Sequence, residues 1–433
     1  MDSLWIAGLL IVLLFVILGS GVWIGVALLG VGWIAMEMFT SRPVGPAMVT
    51  TIWGASSSWT LTALPMFIWM GEILFRTRLS EDMFKGLAPW MQRLPGRLIH
   101  TNVIGCTIFA AISGSSAATC ATIGKMSIPE LRKRGYPEGM IIGSLAGSGT
   151  LGLLIPPSLI MIVYGVQTNT SIAQLFIAGV IPGLTLAGLF MLTVMIWAWF
   201  EHARIPAADT AMTFFQKIYA ARHLIPSVAL IVIVLGSIYS GLATATEAAA
   251  VGVAGALLVA TVQGDMNWTV FKESLMGATR LSCMIALILA GAAFLTLAMG
   301  FTGLPRHLAE WIDSLDMSAG ALIAALTVFY IILGCFLDGI SMVVLTMAVI
   351  MPTIERAGFD LIWFGIFIVI VVEMAQITPP VGFNLFVLQG MTGHQITFIA
   401  KVAFPFFVMM CVMVMLLFWV PELATWLPKQ MVG

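Results

Sequence analysis

The sequence predicts an all-α polytopic membrane protein made of two inverted-topology repeats, each with a re-entrant helical hairpin and a helix broken by a Pro-Pro pair. Charged residues make up 9% of the 433 residues and hydrophobic residues 60%, whereas soluble domains carry roughly 25% charged residues. Apolar stretches of about 20 residues, the length that crosses a bilayer, recur from Leu4 to Trp419. Four prolines also recur at a spacing of 223 residues: Pro129 and Pro352, Pro156 and Pro379, Pro157 and Pro380, Pro182 and Pro405.

The residues around these prolines match as well. IPELRKRGY at 128–136 corresponds to MPTIERAGF at 351–359, and LLIPPS at 153–158 corresponds to QITPPV at 376–381. The chain therefore contains one structural unit twice. Interrupted helices at corresponding positions of two halves are the best sequence indication of a transporter's binding site.

Composition argues against several other kinds of protein. A net charge of -1 and a pI near 6.5 provide no basic field for nucleic acid. The N-terminus lacks a basic region and an AxA cleavage site, so we expect the first apolar stretch to be retained. The five cysteines lie in apolar segments without a CxxC pair, so we interpret them as small packing residues.

The first half begins with residues 4–38, where Gly19, Ser20 and Gly21 favour two helices over one long tilted helix. Further on, two segments too short to span flank the polar tip 113–116, which predicts a hairpin that enters and leaves on one face. Adjacent prolines remove two backbone donors and clash with the preceding turn, so the next helix is predicted to break at Pro156 and Pro157. The predicted elements are a crossing at about 50–75, a basic connector at 76–97, hairpin arms at 98–112 and 117–129, the broken helix at 138–164 and a crossing at 172–200.

The second half repeats this order after a polar linker at 201–223, which contains an amphipathic piece and is expected to lie on the membrane surface. The predicted elements are crossings at 225–240 and 245–263, a short amphipathic stretch at 264–275, a crossing at 278–300, hairpin arms at 319–336 and 342–352, a helix at 361–390 broken at Pro379 and Pro380, and a crossing at 396–420. The resulting domains are scaffold helices at 1–97, a first repeat at 98–200, the linker at 201–223, scaffold helices at 224–300, a second repeat at 301–420 and a tail at 421–433.

Loop charges decide whether the repeats are parallel or inverted, because Lys and Arg accumulate in short cytoplasmic loops. The first hairpin is flanked by the basic connector and by the run 132–134. The second is flanked by Arg306 and Arg356 among acidic residues. The first hairpin is therefore predicted to open to the cytoplasm and the second to the outside, with the linker and its Lys217 and Arg222 inside. Inverted repeats of this kind are the architecture of secondary transporters.

The breaks are where chemistry is expected. Non-helical backbone at membrane depth is tolerated only where it is buried or lines a polar cavity. Its free carbonyls suit a small cation, and helix N-termini at the same place suit an anionic substrate. One pair of breaks in each repeat therefore predicts two cation sites around one substrate site. The alternative, close helix packing by small residues, is weakened by the matching of the breaks in both halves.

The candidate residues follow from this placement. Those at the breaks are Ser113, Gly114, Ser115 and Ser116 with the stretch 152–157, and Asp338, Gly339 and Ser341 with the stretch 375–380. For contact with the substrate we select Gly114, Ser116, Ser341 and Asn384.

Ionisable residues inside membrane segments are functional candidates by default. Asp338, at the second tip, is favoured as a cation ligand or as a hydrogen-bond scaffold for the tip. Glu247 lies three residues after Thr244, and this spacing favours a capping box at a helix start. Glu72, Arg280 and Glu373 are left without an assigned role, since nothing in the sequence decides between helix pairing and contact with the membrane surface.

No enzymatic machinery is visible. Gly147, Gly149 and Gly152 form a GxGxxG pattern, but it leads into a broken apolar helix and follows no strand, which argues against dinucleotide binding. Motifs for ATP hydrolysis, metalloprotease and serine hydrolase chemistry are missing from the sequence. We therefore predict a non-enzyme that needs no cofactor and takes its energy from an ion gradient.

Several motifs together resemble one transporter family. In order they are SGSS, IPELRKRGY, GTLGLLIPPS, TATEAAAVG, DGISM and ITPPVG. Over about residues 4–425 the chain resembles the large membrane subunit of tripartite ATP-independent periplasmic (TRAP) transporters, of the DctM-like type. The resemblance implies an elevator-type transporter of the ion-transporter superfamily type in the bacterial inner membrane. It also implies sodium-coupled import of an organic acid such as a C4-dicarboxylate or sialic acid.

The resemblance also implies partners and ligands. The partners are a periplasmic substrate-binding protein and a small four-helix membrane subunit, which is expected as a separate chain. The sodium ligands implied for the first site are Ser113, Ser115, Gly152, Ile155 and Pro157, and the repeat relation then indicates Asp338, Gly339, Ala375, Thr378 and Pro380 for the second. Ala375 departs from the family pattern, which usually has glycine there, and is expected to crowd the turn.

Two alternatives remain open at this point. A sodium/anion symporter that needs no binding protein would share the hairpins and broken helices. A membrane anchor without transport activity is the third hypothesis, but it gives the matched breaks no purpose.

Overall fold

The computed structural model describes residues 3–201, 205–207, 212–334, 337–380 and 382–430, and these residues form helices and connecting turns without a strand. The region of residues 4–38 is two helices, as predicted, separated by a turn at Gly21, whose φ is +82°. The helices of the first half are α1 (Ser3–Gly19), α2 (Ile24–Phe39), α3 (Val44–Ser56), α4 (Ala63–Phe75), α5 (Leu79–Met91), α6 (His100–Ser113), α7 (Ser116–Lys133), α8 (Glu138–Gly149), α9 (Leu151–Leu154), α10 (Leu159–Thr168), α11 (Ile172–Phe200) and α12 (Phe214–Ala221).

The second half follows the same plan. Its helices are α13 (Ile225–Tyr239), α14 (Ala245–Val262), α15 (Trp268–Thr302), α16 (Leu304–Ser314), α17 (Ala319–Leu333), α18 (Gly339–Arg356), α19 (Leu361–Gln376), α20 (Phe383–Thr392), α21 (Ile396–Trp419) and α22 (Glu422–Gln430). Both Pro-Pro breaks and the helical arms on either side of both hairpin tips are present. Cys335, Phe336 and Val381, which belong to the second tip and the second break, lie outside the described residues.

The 223-residue spacing extends beyond the hairpins and broken helices. α7 and α18 begin and end 223 residues apart, and so do the starts of α8 and α19. The last residues of α2 and α14 have the same separation, as do those of α5 and α16. α2, α5 and α14, which lie in the segments predicted as scaffold, therefore belong to the duplication as well.

Contacts between the halves place the two broken helices in opposite directions. His394, just after α20, lies 3.1 Å from the Glu138 carboxylate at the start of α8. At the other end, the Tyr164 hydroxyl in α10 donates to the Leu361 carbonyl at the start of α19, at 2.7 Å. Each broken helix thus starts where the other ends, which is the geometry of an inverted repeat.

Two scaffold elements differ from the prediction. The crossing predicted at about 50–75 starts at Val44 and bends by 55° between Ser56 and Trp59. The bend falls in a run of three serines, whose side chains compete for backbone hydrogen bonds and weaken a helix. Its counterpart α15 is continuous over 35 residues, so the amphipathic stretch at 264–275 and the crossing at 278–300 are one helix. Asn267 caps its start by accepting from the amide of Val270 at 2.9 Å.

Seven helices of the described chain are long and apolar enough to cross a membrane, or eight if the bent pair α3–α4 counts as one span. The most deeply packed span is the first broken helix, 138–168, where 94% of the most apolar window is buried. Each hairpin's second arm packs on the broken helix of the other repeat: α7 on α20, and α18 on α10. The two hairpins and the two broken helices therefore interlock at the centre of the protein.

Candidate functional site

The first hairpin turns at a tip built from small residues. α6 ends at Ser113, and its C-cap residue Gly114 has a φ of +61°, a left-handed conformation that favours glycine. Ser115 is the N-cap of α7, and its hydroxyl accepts from the amide of Ala118 at 3.5 Å. Ser113 lies 2.7 Å from the Thr119 hydroxyl, oxygen to oxygen. The tip is therefore held by its own hydroxyl groups.

The first break lies directly against this tip. α9 ends at Leu154, and the chain is extended at Ile155 before α10 starts after Ser158. The amide of Leu159 donates to the carbonyl of Gly114 at 3.3 Å. A Cβ on Gly114 would lie 2.7 Å from the carbonyl oxygen of Pro157. Glycine is required here because any side chain would collide with the opposite backbone.

Gly152, at the break, lies equally close to the backbone of the tip. A Cβ at this position would lie 2.5 Å from the carbonyl oxygen of Ser115 and 2.7 Å from its carbonyl carbon. The structure thus brings Ser113, Ser115, Gly152 and Pro157 into one small region, with Ile155 in the adjoining extended segment. The tip and the break therefore approach each other backbone to backbone.

The second tip is organised by a carboxylate. Asp338 is the N-cap of α18, and its Oδ2 accepts from the amides of Ile340 at 3.2 Å and Ser341 at 3.3 Å. Its Oδ1 accepts from the Ser341 hydroxyl. In the described part of the chain, all the hydrogen bonds of this carboxylate stay within its own hairpin. This geometry favours the scaffold role for Asp338 over the role of cation ligand.

The second break is more open than the first. Pro379 and Pro380 are exposed, whereas Pro156 and Pro157 are buried. The Thr378 hydroxyl donates to the carbonyl of Met374 at 2.7 Å, one turn back along α19. Gly339 lies against the same helix, since a Cβ on it would be 2.6 Å from Cγ1 of Val372 and 3.0 Å from Nε2 of Gln376. The second hairpin thus contacts α19 before the break.

Ala375 fits without crowding the turn. A Cβ built on Gly334, at the end of the first arm, would overlap the Cβ of Ala375. Gly334 has a φ of -71°, a conformation that any residue adopts, so its need for glycine comes from close packing: Ala375 is the tightest contact, and Cε and Sδ of Met342 would lie 3.1 Å from the added Cβ. The methyl group of Ala375 therefore occupies space that Gly334 leaves free.

Glu373 is a site residue to which the sequence assigned no role. It is 1% exposed, and its Oε1 accepts from the Ser116 hydroxyl and from the Leu153 amide, the latter at 3.1 Å. A single carboxylate of the second repeat thus joins the first tip to the first break. Its position inside an apolar run, two residues before Ala375, was the available sequence signal.

The four candidates for substrate contact are all buried. Ser116 binds Glu373, and Ser341 is fully buried beside Asp338. Asn384, in α20, is also fully buried, and within the described residues neither polar atom of its side-chain amide has a hydrogen-bond partner. Its Nδ2 faces the first repeat, where a Cβ on Gly149 would be 3.4 Å away.

The remaining ionisable candidates cap a helix, form ion pairs or are exposed. The capping box of Thr244 and Glu247 is confirmed, with the Thr244 amide donating to the Glu247 carboxylate at 2.8 Å. Glu72 forms an ion pair with Arg76, which also lies 3.8 Å from the Glu273 carboxylate. Arg280 is exposed on α15.

Two antiparallel repeats, each with a hairpin and a helix broken inside the protein, define the class of secondary transporters. The family described as "Tripartite ATP-independent periplasmic transporter, DctM component" matches residues 11–423. The chain belongs to this family, as its motifs predicted.

Similar proteins cover most of the chain. The C4-dicarboxylate TRAP transporter large permease protein DctM of Pseudomonas aeruginosa is 31% identical over 88% of this chain and 89% of its own. The isethionate TRAP transporter permease protein DctMQ of Oleidesulfovibrio alaskensis is 30% identical over 84% of this chain and 58% of its own. The crystal structure of the YdaH transporter of Alcanivorax borkumensis has the same fold, with a TM-score of 0.66 at 12% identity, over 93% of this chain and 98% of that one.

Proposed function

We propose that the chain is the large permease subunit of a sodium-coupled, binding-protein-dependent secondary transporter that imports an organic acid across the bacterial inner membrane. The contact between the first hairpin tip and the first break carries the proposal. Pro156 and Pro157 have no amide, so the carbonyls of Gly152 and Leu153 have no helical donor four residues on. An unsatisfied backbone group at membrane depth costs several kcal/mol, so these carbonyls need a ligand or water. A sodium ion from the gradient meets this need and couples transport to that gradient.

The first cation site is formed by Ser113, Ser115, Gly152, Ile155 and Pro157. Its support is the close approach of Gly152 to the carbonyl of Ser115 and of Gly114 to that of Pro157. For the second site the ligands are backbone and hydroxyl oxygens of Gly339, Ala375, Thr378 and Pro380. Asp338 shapes this second site from the side, because its carboxylate already accepts three hydrogen bonds from the tip.

The substrate binds between the two tips. α7 starts there, and the positive end of its helix dipole favours a carboxylate, whereas amides in the first turn of α18 already donate to Asp338. Asn384 contributes its side-chain amide, which is unpaired within the described residues. Gly114, Ser116 and Ser341 contribute backbone contacts, because both serine hydroxyls already donate to carboxylates of the protein. The relatives compared above are named for a C4-dicarboxylate and for isethionate at 31% and 30% identity, so the substrate is proposed only as a small organic acid.

Transport follows an elevator mechanism in this proposal. The hairpins and broken helices form a transport domain that slides against the remaining helices and a small membrane subunit. The interlocked packing of α7 on α20 and of α18 on α10 supports a single moving body. A second membrane component is also consistent with the name DctMQ of the longer relative, and a periplasmic binding protein delivers the substrate.

Uptake by the purified complex in proteoliposomes tests the proposal. Radiolabelled organic acid should accumulate only when an inward sodium gradient and the cognate binding protein are both present. Uptake with sodium but equally fast without binding protein would instead establish the binding-protein-independent symporter. Uptake that needs neither would overturn the proposal.

A further inference from the structure

A large cavity lies on the face of the first hairpin, apart from both breaks. It has a volume of about 1710 Å³ and lies between α5, the outer half of α7 and α12. Small-molecule sites have volumes of about 300–1,000 Å³, so this cavity is larger than a small organic acid requires. The loop charges place it at the cytoplasmic leaflet.

The cavity concentrates positive charge in a chain whose net charge is -1. Six basic and two acidic residues line it, the acidic ones being Glu81 and Glu130. Glu130 is engaged by Arg134 at 2.8 Å. Within the described residues, Lys217 lies over the ring of Trp90 and forms no ion pair, and neither do four further basic side chains: Lys85, Arg93, Lys125 and Lys133. All four are exposed to solvent, so the cavity favours an anion.

Part of its remaining wall is apolar, beside the polar side chains of Gln92, Gln216 and His223, and continues onto the surface of α12. Met126, Met212 and Phe215 line the cavity beside the lysines. α12 starts with a capping box between Thr213 and Gln216, and it exposes Phe215 by 83%. Short helices with aromatic residues on one face and basic residues on the other lie in the plane of the membrane interface. A ligand that fills this cavity therefore has an anionic head and an apolar body.

We infer that the cavity binds an anionic phospholipid of the cytoplasmic leaflet, with the phosphate among Lys85, Lys125 and Lys133 and the acyl chains along α12. Basic pockets between helices on the cytoplasmic side are typical sites for anionic headgroups. The bound lipid joins α7, in the first hairpin, to α5 and α12. It therefore restrains the hairpin that the proposed mechanism moves, although binding itself does not depend on that mechanism.

Lipid binding by the purified full-length chain in detergent tests the inference. Phosphatidylglycerol is titrated and the bound fraction is measured by native mass spectrometry, with phosphatidylcholine as the neutral reference. The double variant Lys85→Gln/Lys125→Gln should weaken phosphatidylglycerol binding about 30-fold, roughly five-fold for each lysine. The matched control Lys272→Gln/Lys401→Gln removes two exposed lysines outside the cavity and should change binding less than about two-fold.

Two results would overturn the inference: equal losses of phosphatidylglycerol affinity in the cavity and control variants, or equal affinity of the native chain for the two lipids.

A competition experiment separates lipid from soluble anions. Glycerol phosphate and succinate should fail to displace phosphatidylglycerol, and Phe215→Ser should weaken the lipid without changing the binding of glycerol phosphate. Displacement by either soluble anion at comparable concentration would assign the cavity to that anion and contradict a lipid site. Unchanged elution and melting temperature of the variants show that they fold.

Discussion

Replacing Gly152 with alanine perturbs the contact between the first tip and the first break more directly than any other single methyl group. The added Cβ would lie 2.5 Å from the carbonyl oxygen of Ser115 and 2.7 Å from Cα of Ser116. Both neighbours are backbone atoms, so no side-chain rotation relieves the overlap. The tip and the break must move apart.

The size of the effect follows from two opposing contributions. Overpacking costs about 1–3 kcal/mol, and the upper half of that range, about 2–3 kcal/mol, applies here because both neighbours are backbone atoms. Alanine offsets about 1 kcal/mol of this cost because it favours a helix over glycine. A net cost of about 1–2 kcal/mol at the ion-bound geometry corresponds to a roughly five- to thirty-fold change in affinity. The sodium concentration for half-maximal uptake should rise by this factor.

The assay is sodium-dependent uptake in proteoliposomes containing the complex and its binding protein. Gly188→Ala is the matched control, since this glycine of α11 has nothing within 4 Å of the added Cβ. The control should keep the native sodium dependence and lose no stability. If Gly152→Ala also showed native sodium dependence at native melting temperature, the proposed first cation site would be refuted.

Three further changes test the second tip, the cross-repeat carboxylate and the position of Ala375. Asp338→Ala should lower the free energy of unfolding by about 1 kcal/mol and raise the sodium concentration that uptake requires. Asp338→Asn should preserve both quantities, because asparagine caps a helix as well as aspartate does. Loss of sodium dependence in the asparagine variant would instead identify Asp338 as a cation ligand. Glu373→Ala should reduce the free energy of unfolding in detergent by roughly 2–4 kcal/mol more than Glu373→Gln does, because only glutamine keeps an acceptor for Ser116 and Leu153. Equal losses of stability in the two variants would contradict the role of Glu373 in joining the first tip to the first break. Gly334→Ala should destabilise the protein, and adding Ala375→Gly should restore stability by removing the overlapping methyl group. A double-mutant cycle should give a coupling energy of about 1–3 kcal/mol. Additive effects would rule out the contact between these two positions.

The positions of the helix breaks were predictable from sequence because proline and glycine act locally. Pro156 and Pro157 interrupt a helix wherever they occur in one, and their copies 223 residues later mark the second break. The capping box at Thr244 and Glu247 is local in the same way. Loop charges then predicted the opposite directions of the repeats, which the contacts of Glu138 with His394 and of Tyr164 with Leu361 show directly.

The contacts between distant segments could not be predicted in this way. Glu373 meets Ser116 across 257 residues, and no local pattern identifies that pair. The fit of Ala375 beside Gly334 depends on how closely two helices approach each other. The sequence alone does not contain that distance, so alanine in place of the usual glycine was expected to crowd the turn. The bend at Ser57 and the continuity of α15 differ from the predicted elements for a similar reason. The local sequence has only a weak preference at these positions, so the surrounding packing determines the conformation.

The first cation site can be tested most directly by determining the structure of the complex at high sodium concentration and again with sodium replaced by a larger organic cation. At high sodium concentration only, density for a bound ion should appear between the carbonyl of Ser115 and the first break. Continuous contact of the tip with the break, without ion density in either condition, would contradict the proposed site.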